Sequence, residues 1–269
     1  MTNSRLTRRT FIGGTMMLGA LAARAGTPPG PGYSGHLGKK NLAIGSFIFE
    51  RMDQIDFTGP FSVLSRLPQS ELHVMALERA PIEDHKGLVL TPQITVAEAP
   101  LLDVLHVPGG PGQEALMHDE RVLSMIRRHA DEGRVVFSVC TGALLCGAAG
   151  VLRGRRATTH WSAFELLPYF GATPVNERVV VDGSLVSAAG VTAGIDGALR
   201  LAAMLRGEQV AQEIQLDIQY APEPPFNAGS PQTAPDEVVA AVKERYRPLT
   251  EARRNTARAI ASQRAEARR

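Results

Sequence analysis

The stretch Val135-Val-Phe-Ser-Val-Cys140-Thr-Gly142-Ala-Leu-Leu-Cys146 decides how this chain is read. An apolar run of strand length stops at Cys140, and a run of small residues with helical spacing starts directly after it. Gly142, two places beyond the cysteine, lets the chain turn sharply between strand and helix. That is the layout of a nucleophile elbow, which presents the side chain at the turn outward. A thiol so placed sits over a helix N-terminus, where free amides and the macrodipole favour a thiolate below the free cysteine pKa of about 8.5. A second reading stands beside this one on the segment alone. Free cysteine is among the most buried residue types, and one that closes an apolar strand packs in the core by default.

Outward from this segment the pattern alternates. Apolar, β-like runs at 41–49, 71–77, 104–107, 135–139 and 185–188 are interleaved with helical spacing at 121–132, 141–149, 161–169, 193–205 and 208–220. Strands alternating with helices predict an α/β fold with a mostly parallel central sheet covered on both faces. Residues 221–234 form a long irregular stretch of Pro, Asn, Gly and Ser, and Thr233, Pro235, Asp236 and Glu237 then open a short helix. No internal repeat and no second composition regime interrupt 41–248, so that span reads as one domain.

The chain has 269 residues and 44% hydrophobic content, enough for a sizeable core. Its first residues read differently. Arg8-Arg9 is followed by an uncharged stretch to Leu21 and then Ala23-Arg-Ala25. This is the pattern of a twin-arginine signal peptide over 1–25, with an apolar run of about 10 residues, far short of the ~20 that span a bilayer. A Gly- and Pro-rich linker follows over 26–40. The expected location is therefore periplasmic, with no stable membrane association after export.

The leader carries four arginines and no acids, so the remainder has 29 − 4 = 25 basic against 27 acidic side chains. Within it, 249–269 holds six arginines against Glu251 and Glu266, which leaves the body near −6. A nucleic-acid groove is not expected, and the basic C-terminal segment reads as a solvated helical tail. Two cysteines six apart make no disulfide framework. On a helix Cys146 lies about 240° around the axis from the turn, a small buried residue facing away from Cys140. The seven histidines show no H-x-H or H-E-x-x-H spacing, so neither metal nor other cofactor is expected.

In open α/β sheets ligands collect at the carboxyl ends of the strands. Three segments end there: Gln54-Ile-Asp56-Phe-Thr-Gly59-Pro60, Pro108-Gly109-Gly110, and Cys140-Thr141. Asp56 is either a cap for a helix starting near Pro60 or a catalytic carboxyl. Gly109 and Gly110 form either a tight turn or a pair of amides open to a developing negative charge. They lack the spacing of a phosphate loop. His160 and Asp196 are secondary candidates, the first as an acid/base or orienting group and the second as an orienting carboxylate. Each also has a structural reading, as a residue preceding a helix and as a first-turn acid.

Taken together, these segments resemble the PfpI-type branch of the glutamine-amidotransferase-like superfamily, which also holds the Parkinsonism-associated deglycase. The carrying motifs are Gln54 to Pro60, Val107-Pro-Gly-Gly110, Ser138-Val-Cys-Thr-Gly-Ala143, Arg156-Ala-Thr-Thr-His-Trp161, Thr192-Ala-Gly-Ile-Asp196 and the run from Tyr220 to Pro231. Asp56, where many relatives carry Glu, and Thr141, where protease-like and deglycase-like members carry His, bring the likeness nearest the isonitrile hydratases.

The resemblance implies a flavodoxin-like three-layer sandwich, usually a homodimer acting on a small-molecule substrate, with Cys140 as nucleophile and Asp56 and Thr141 beside it. It further implies addition of water to R–N≡C through a cysteine thioimidate. Two alternatives remain at this point: an amidase- or glyoxalase-type enzyme of the same fold, or an exported ligand-binding or thiol-redox sensor without catalysis.

Overall fold

The structure is a computed structural model and describes residues 41–267. The leader expected at 1–25, the linker at 26–40 and the last two residues of the tail lie outside them. The strands are β1 (Leu42–Phe47), β2 (Ser70–Ala76), β3 (Ile82–Glu83), β4 (Val89–Leu90), β5 (Ile94–Thr95), β6 (Val104–Val107), β7 (Val135–Val139), β8 (Arg156–Ala157), β9 (Thr173–Pro174), β10 (Val179–Asp182) and β11 (Leu185–Ala188). The α-helices are α1 (Gln54–Leu64), α2 (Gln113–Leu116), α3 (Glu120–Asp131), α4 (Gly142–Ala148), α5 (Ala193–Arg206), α6 (Glu208–Asp217) and α7 (Asp236–Glu266).

One seven-stranded sheet, in the order β10-β11-β7-β6-β1-β2-β5, forms the middle layer. Every neighbouring pair is parallel except β10 with β11. The central strands β6 and β7 are buried throughout, which is why they read as continuous apolar runs rather than alternating ones. Their side chains nonetheless divide by the pleat. Leu105 and Val136 join Phe47, Leu144, Leu167 and Phe170 in one core layer, whereas Val104, Phe137 and Val139 join Val63, Val186 and Leu201 in the other. The chain leaves β1 toward β2 on one side and returns to add β6 on the other. That reversal opens a crevice at the carboxyl ends of β1 and β6, the place where doubly wound sheets hold their ligands.

Three expectations are corrected. Helix α1 starts before Asp56, because Asp53 takes the capping role and accepts the Ile55 amide at 3.0 Å. Asp56 is thereby placed in the first turn, fully buried, and does not cap a helix near Pro60. The segment Trp161–Phe170 is a 3-10 helix rather than an α-helix. It contains Pro168, which has no N–H for an α-helical bond, and it ends at Gly171 with φ 75°. Finally, the short helix expected after Pro235 and the C-terminal tail are one helix of 31 residues. The tail is not solvated on all sides, for Arg253, Thr256 and Ala257 are buried against the rest of the fold.

Candidate active site

The turn after β7 is as tight as its sequence implies. Cys140 has φ 54°, the left-handed region that costs a residue with a Cβ roughly 1–2 kcal/mol. Surrounding contacts hold it there: the Cys140 amide donates to the Ala188 carbonyl at 2.9 Å, and Thr159 Oγ1 donates to the Cys140 carbonyl at 2.7 Å. Thr159 belongs to the Arg156 to Trp161 motif, which thereby touches the elbow through its threonine. Gly142 is required by close approach, since a Cβ there would overlap the Val107 carbonyl oxygen. Cys146 is free and buried, and burial pushes its thiol up to about 12, an unreactive core residue next to Ser138.

Asp56 reaches the same place from α1. Its Oδ2 accepts the Gly109 amide at 3.0 Å. Oδ1 is buried without an aligned donor, and the Cys140 thiol lies against the carboxyl. Burial, reinforced by the nearby Asp53, raises the Asp56 pKa to about 8, so the carboxyl is protonated at neutral pH. The Cys140 thiol is pushed up as well, by burial first and by Asp56 second, while the Thr141 amide and Arg253 pull it down. Two groups so close titrate as a pair.

Thr141 Oγ1 accepts the Gly110 amide at 3.1 Å. Gly110 itself has φ 127°, a conformation that favours glycine, and a Cβ there would overlap the Met52–Asp53 backbone. The two glycine amides are therefore both engaged. Gly109 holds the Asp56 carboxyl and Gly110 holds the Thr141 hydroxyl, so they orient side chains instead of standing open to an incoming charge as expected. The Thr141 amide faces the Cys140 sulfur.

The secondary candidates divide. His160 borders the site: its ring lies 5.3 Å from Trp161 and 5.8 Å from Tyr246 between centroids, and Nδ1 pairs with Ser162 Oγ at 2.8 Å. Burial, then Arg253, lowers its pKa to about 4, so it is neutral near pH 7. Asp196 does not join the cluster. It is clamped near the surface by Arg178, whose Nε donates at 2.7 Å, and by the Tyr220 hydroxyl at 3.0 Å.

Two residues were missed by reasoning from the sequence. Arg253 of α7 is 3% exposed, and its Nη2 donates to the Gly110 carbonyl at 2.7 Å and to Thr141 Oγ1 at 3.2 Å. The signal that marks it is a helical stripe of Tyr246, Leu249, Arg253, Ala257, Ile260 and Arg264 at three- and four-residue steps. His106 is buried under α1, its Nδ1 2.6 Å from Ser46 Oγ and its ring stacked 5.1 Å from Phe137. It faces the Asp56 carbonyl, which lacks its usual intrahelical donor because residue 60, four places on, is proline. Among the described residues no group of three or more His, Cys, Asp or Glu is placed to hold a metal ion.

Fold and site together define a three-layer α/β protein whose strained cysteine turn is paired with a buried carboxyl at the sheet's switch point. The model of the DJ-1/PfpI family matches residues 44–204, and the chain belongs to that family. It is 49% identical over 207 residues to the isonitrile hydratase of Pseudomonas putida, covering 77% of this chain and 91% of that protein. A deglycase of Pyrococcus horikoshii is 32% identical over 119 residues, covering 44% of this chain and 72% of its own. Among solved structures, a ThiJ/PfpI family protein from Pseudomonas syringae superposes with TM-score 0.79 at 35% identity, covering 88% of this chain and 99% of that one.

Proposed function

We propose that this chain is an isonitrile hydratase that adds water to R–N≡C to give an N-substituted formamide. The observation that carries the reading is the fully buried Asp56 carboxyl, held by the Gly109 amide and lying against Cys140, with threonine rather than histidine as the next residue. The likeness to the Pseudomonas putida hydratase over nearly its whole length supports it. An imidazole base would suit acyl transfer, but the residue after the cysteine is Thr141, and His160, its pKa lowered to about 4, is a weak base whose Nδ1 is engaged by Ser162.

Asp56 as a neutral acid beside a thiolate suits an isonitrile, whose terminal carbon accepts a nucleophile and then a proton. The Cys140 thiolate adds to that carbon while Asp56 gives the carbon its proton, forming R–N=CH–S–Cys and a carboxylate. The carboxylate takes a proton from water as hydroxide adds to the thioimidate carbon. The hydroxyl proton then passes to nitrogen, the carbonyl forms, and the thiolate leaves as R–NH–CHO departs. Asp56 ends protonated and Cys140 ionised, the one-proton state in which the pair entered the cycle.

The test is direct. Purified protein incubated with an alkyl isocyanide yields the formamide, and Cys140→Ala abolishes the yield. Turnover of methylglyoxal or a peptide without turnover of isocyanides overturns the reading.

The same proposal places the enzyme in the periplasm as a homodimer. Fractionation that finds only unprocessed protein in the cytoplasm, or a monomer by light scattering, removes those two parts separately.

A further inference from the structure

Arg253 is a buried guanidinium without a carboxylate in ion-pair contact among the described residues. Its Nη2 donates only to neutral acceptors, the Gly110 carbonyl and the Thr141 hydroxyl, and its Nε has no hydrogen-bond partner. A permanently charged side chain held out of water is costly unless an anion balances it. The groups facing it are Cys140 of the elbow, Asp56 of α1, Glu114 of α2, Tyr246 of its own helix and His160 before the 3-10 helix. Glu114 Oε1 already accepts from Thr256 Oγ1 at 2.7 Å. Asp53, the α1 cap, adds negative charge near both Asp56 and Cys140.

We propose that Arg253 is a positioning residue for the Cys140 nucleophile. From the C-terminal helix it fixes the Thr141 hydroxyl against the loop after β6 and sets a permanent positive charge beside the cysteine–carboxyl pair, so that the pair holds one negative charge in a dry site.

Charge counting gives the reason. With both partners protonated the buried trio of Arg253, Asp56 and Cys140 carries +1, with both ionised −1, and with one proton shared it is neutral, the arrangement a low-dielectric site favours. Asp53 and Glu114 are only partly buried and stand outside the count. The Thr141 amide at the elbow acts in the same direction on the sulfur, and Arg253 adds a full positive charge to it. The hydrogen bonds act with the charge. Thr141 Oγ1 receives both the Gly110 amide and Arg253 Nη2, and the Gly110 carbonyl it lies 3.5 Å from is itself taken by Arg253 at 2.7 Å. Two donors on one hydroxyl oxygen direct its own proton away from them.

The proposal deepens the hydratase reading, but its readout is independent of it. The pH dependence of Cys140 alkylation by iodoacetamide is followed by mass spectrometry of the Cys140 peptide, so that Cys146 does not contribute. In Arg253→Met and Arg253→Gln the midpoint rises by about one pH unit or more, and alkylation at pH 7 slows about tenfold. Arg253→Lys keeps the charge and restores the wild-type midpoint. A folded neutral variant with the wild-type midpoint overturns the proposal, as does a Lys variant shifted as far as Met.

Should the neutral variants fail to fold, Glu114→Gln serves, for it leaves Arg253 in place and removes a carboxylate that faces it. Its midpoint moves down, and an unmoved or raised midpoint overturns the proposal. A protein that shows these shifts yet hydrates no isocyanide keeps the role of Arg253 and loses the reaction.

Discussion

Thr141 Oγ1 and the Gly110 amide, 3.1 Å apart, join the turn after β7 to the loop after β6. Two loops that carry different parts of the site are thereby held at one spacing, with Arg253 bridging the same pair of residues. The bond lies in a buried setting, where a donor left without an acceptor keeps its full desolvation cost. Thr141→Val preserves shape and removes the oxygen, which strands the Gly110 amide and one contact of Arg253. The expected loss is about 1–3 kcal/mol in denaturant unfolding, and Thr141→Ser recovers most of it. Equal stability of the Val and wild-type proteins would show that this bond contributes nothing.

Asp56 couples the chemistry to stability. Its ordinary pKa of 3.8 is raised to about 8 in the folded state, so the folded protein binds this proton more tightly than the unfolded chain does. The resulting contribution is fully present below about pH 4 and is lost as pH rises through about 8. Asparagine keeps an acceptor for the Gly109 amide and never ionises. Asp56→Asn therefore melts above wild type at pH 9, and the two converge near pH 4. Isocyanide hydration falls by about 10²–10⁴ in the same variant, the usual worth of a general acid. A melting difference that does not change with pH would contradict the raised pKa.

The left-handed backbone at Cys140 separates the strain of the turn from the chemistry of its thiol. Alanine keeps the Cβ that makes φ 54° unfavourable, and glycine removes it. Cys140→Gly is expected to be more stable than Cys140→Ala by about 1 kcal/mol, the reverse of the order found at most buried positions. Both are inactive. Urea unfolding of the two variants decides it, and an alanine protein that is the more stable would mean the turn relaxes.

How much of this was legible from residues alone follows from which layer of the argument each residue belongs to. Cys140, Thr141, Gly109 and Gly110 lie just past the ends of β7 and β6, Asp56 lies in the first turn of the helix that follows β1, and a parallel sheet brings these strand ends to one edge. Local pattern plus topology thus reached them. Their hydrogen bonds were not reached, because whether an amide at Gly110 is open or bound depends on a side chain 31 residues away.

Arg253 was out of reach for a different reason. It is 143 residues from Gly110 in a helix whose composition is mostly Ala, Arg and Glu, so its one buried stripe is masked by a polar majority. The register of α1 was misjudged by three residues. Asp53 and Asp56 are both acceptable caps, and only tertiary packing decides which one faces inward.

His106 is one of three histidines, with His129 and His160, whose burial makes the fold sensitive to acid. Its ring is fully buried between Ser46 and Phe137, and burial lowers its pKa from 6.5 to about 3. The folded state resists a proton that the unfolded chain accepts. Its contribution is therefore fully present above about pH 6.5 and is lost as pH falls toward 3. His106→Asn sacrifices the ring contact and is less stable than wild type at pH 7.5, by about 1–3 kcal/mol. Because asparagine does not titrate, that gap narrows as the pH drops, and at pH 4.5 the urea midpoints of the two proteins lie closer together. Asp56 moves in the opposite sense with pH, but it is present in both proteins and cancels in the difference. A gap that stays constant from pH 7.5 to 4.5 would mean that His106 is protonated in the folded state as readily as in the unfolded one. The stacking on Phe137 and the Ser46 contact would then have to hold an imidazolium.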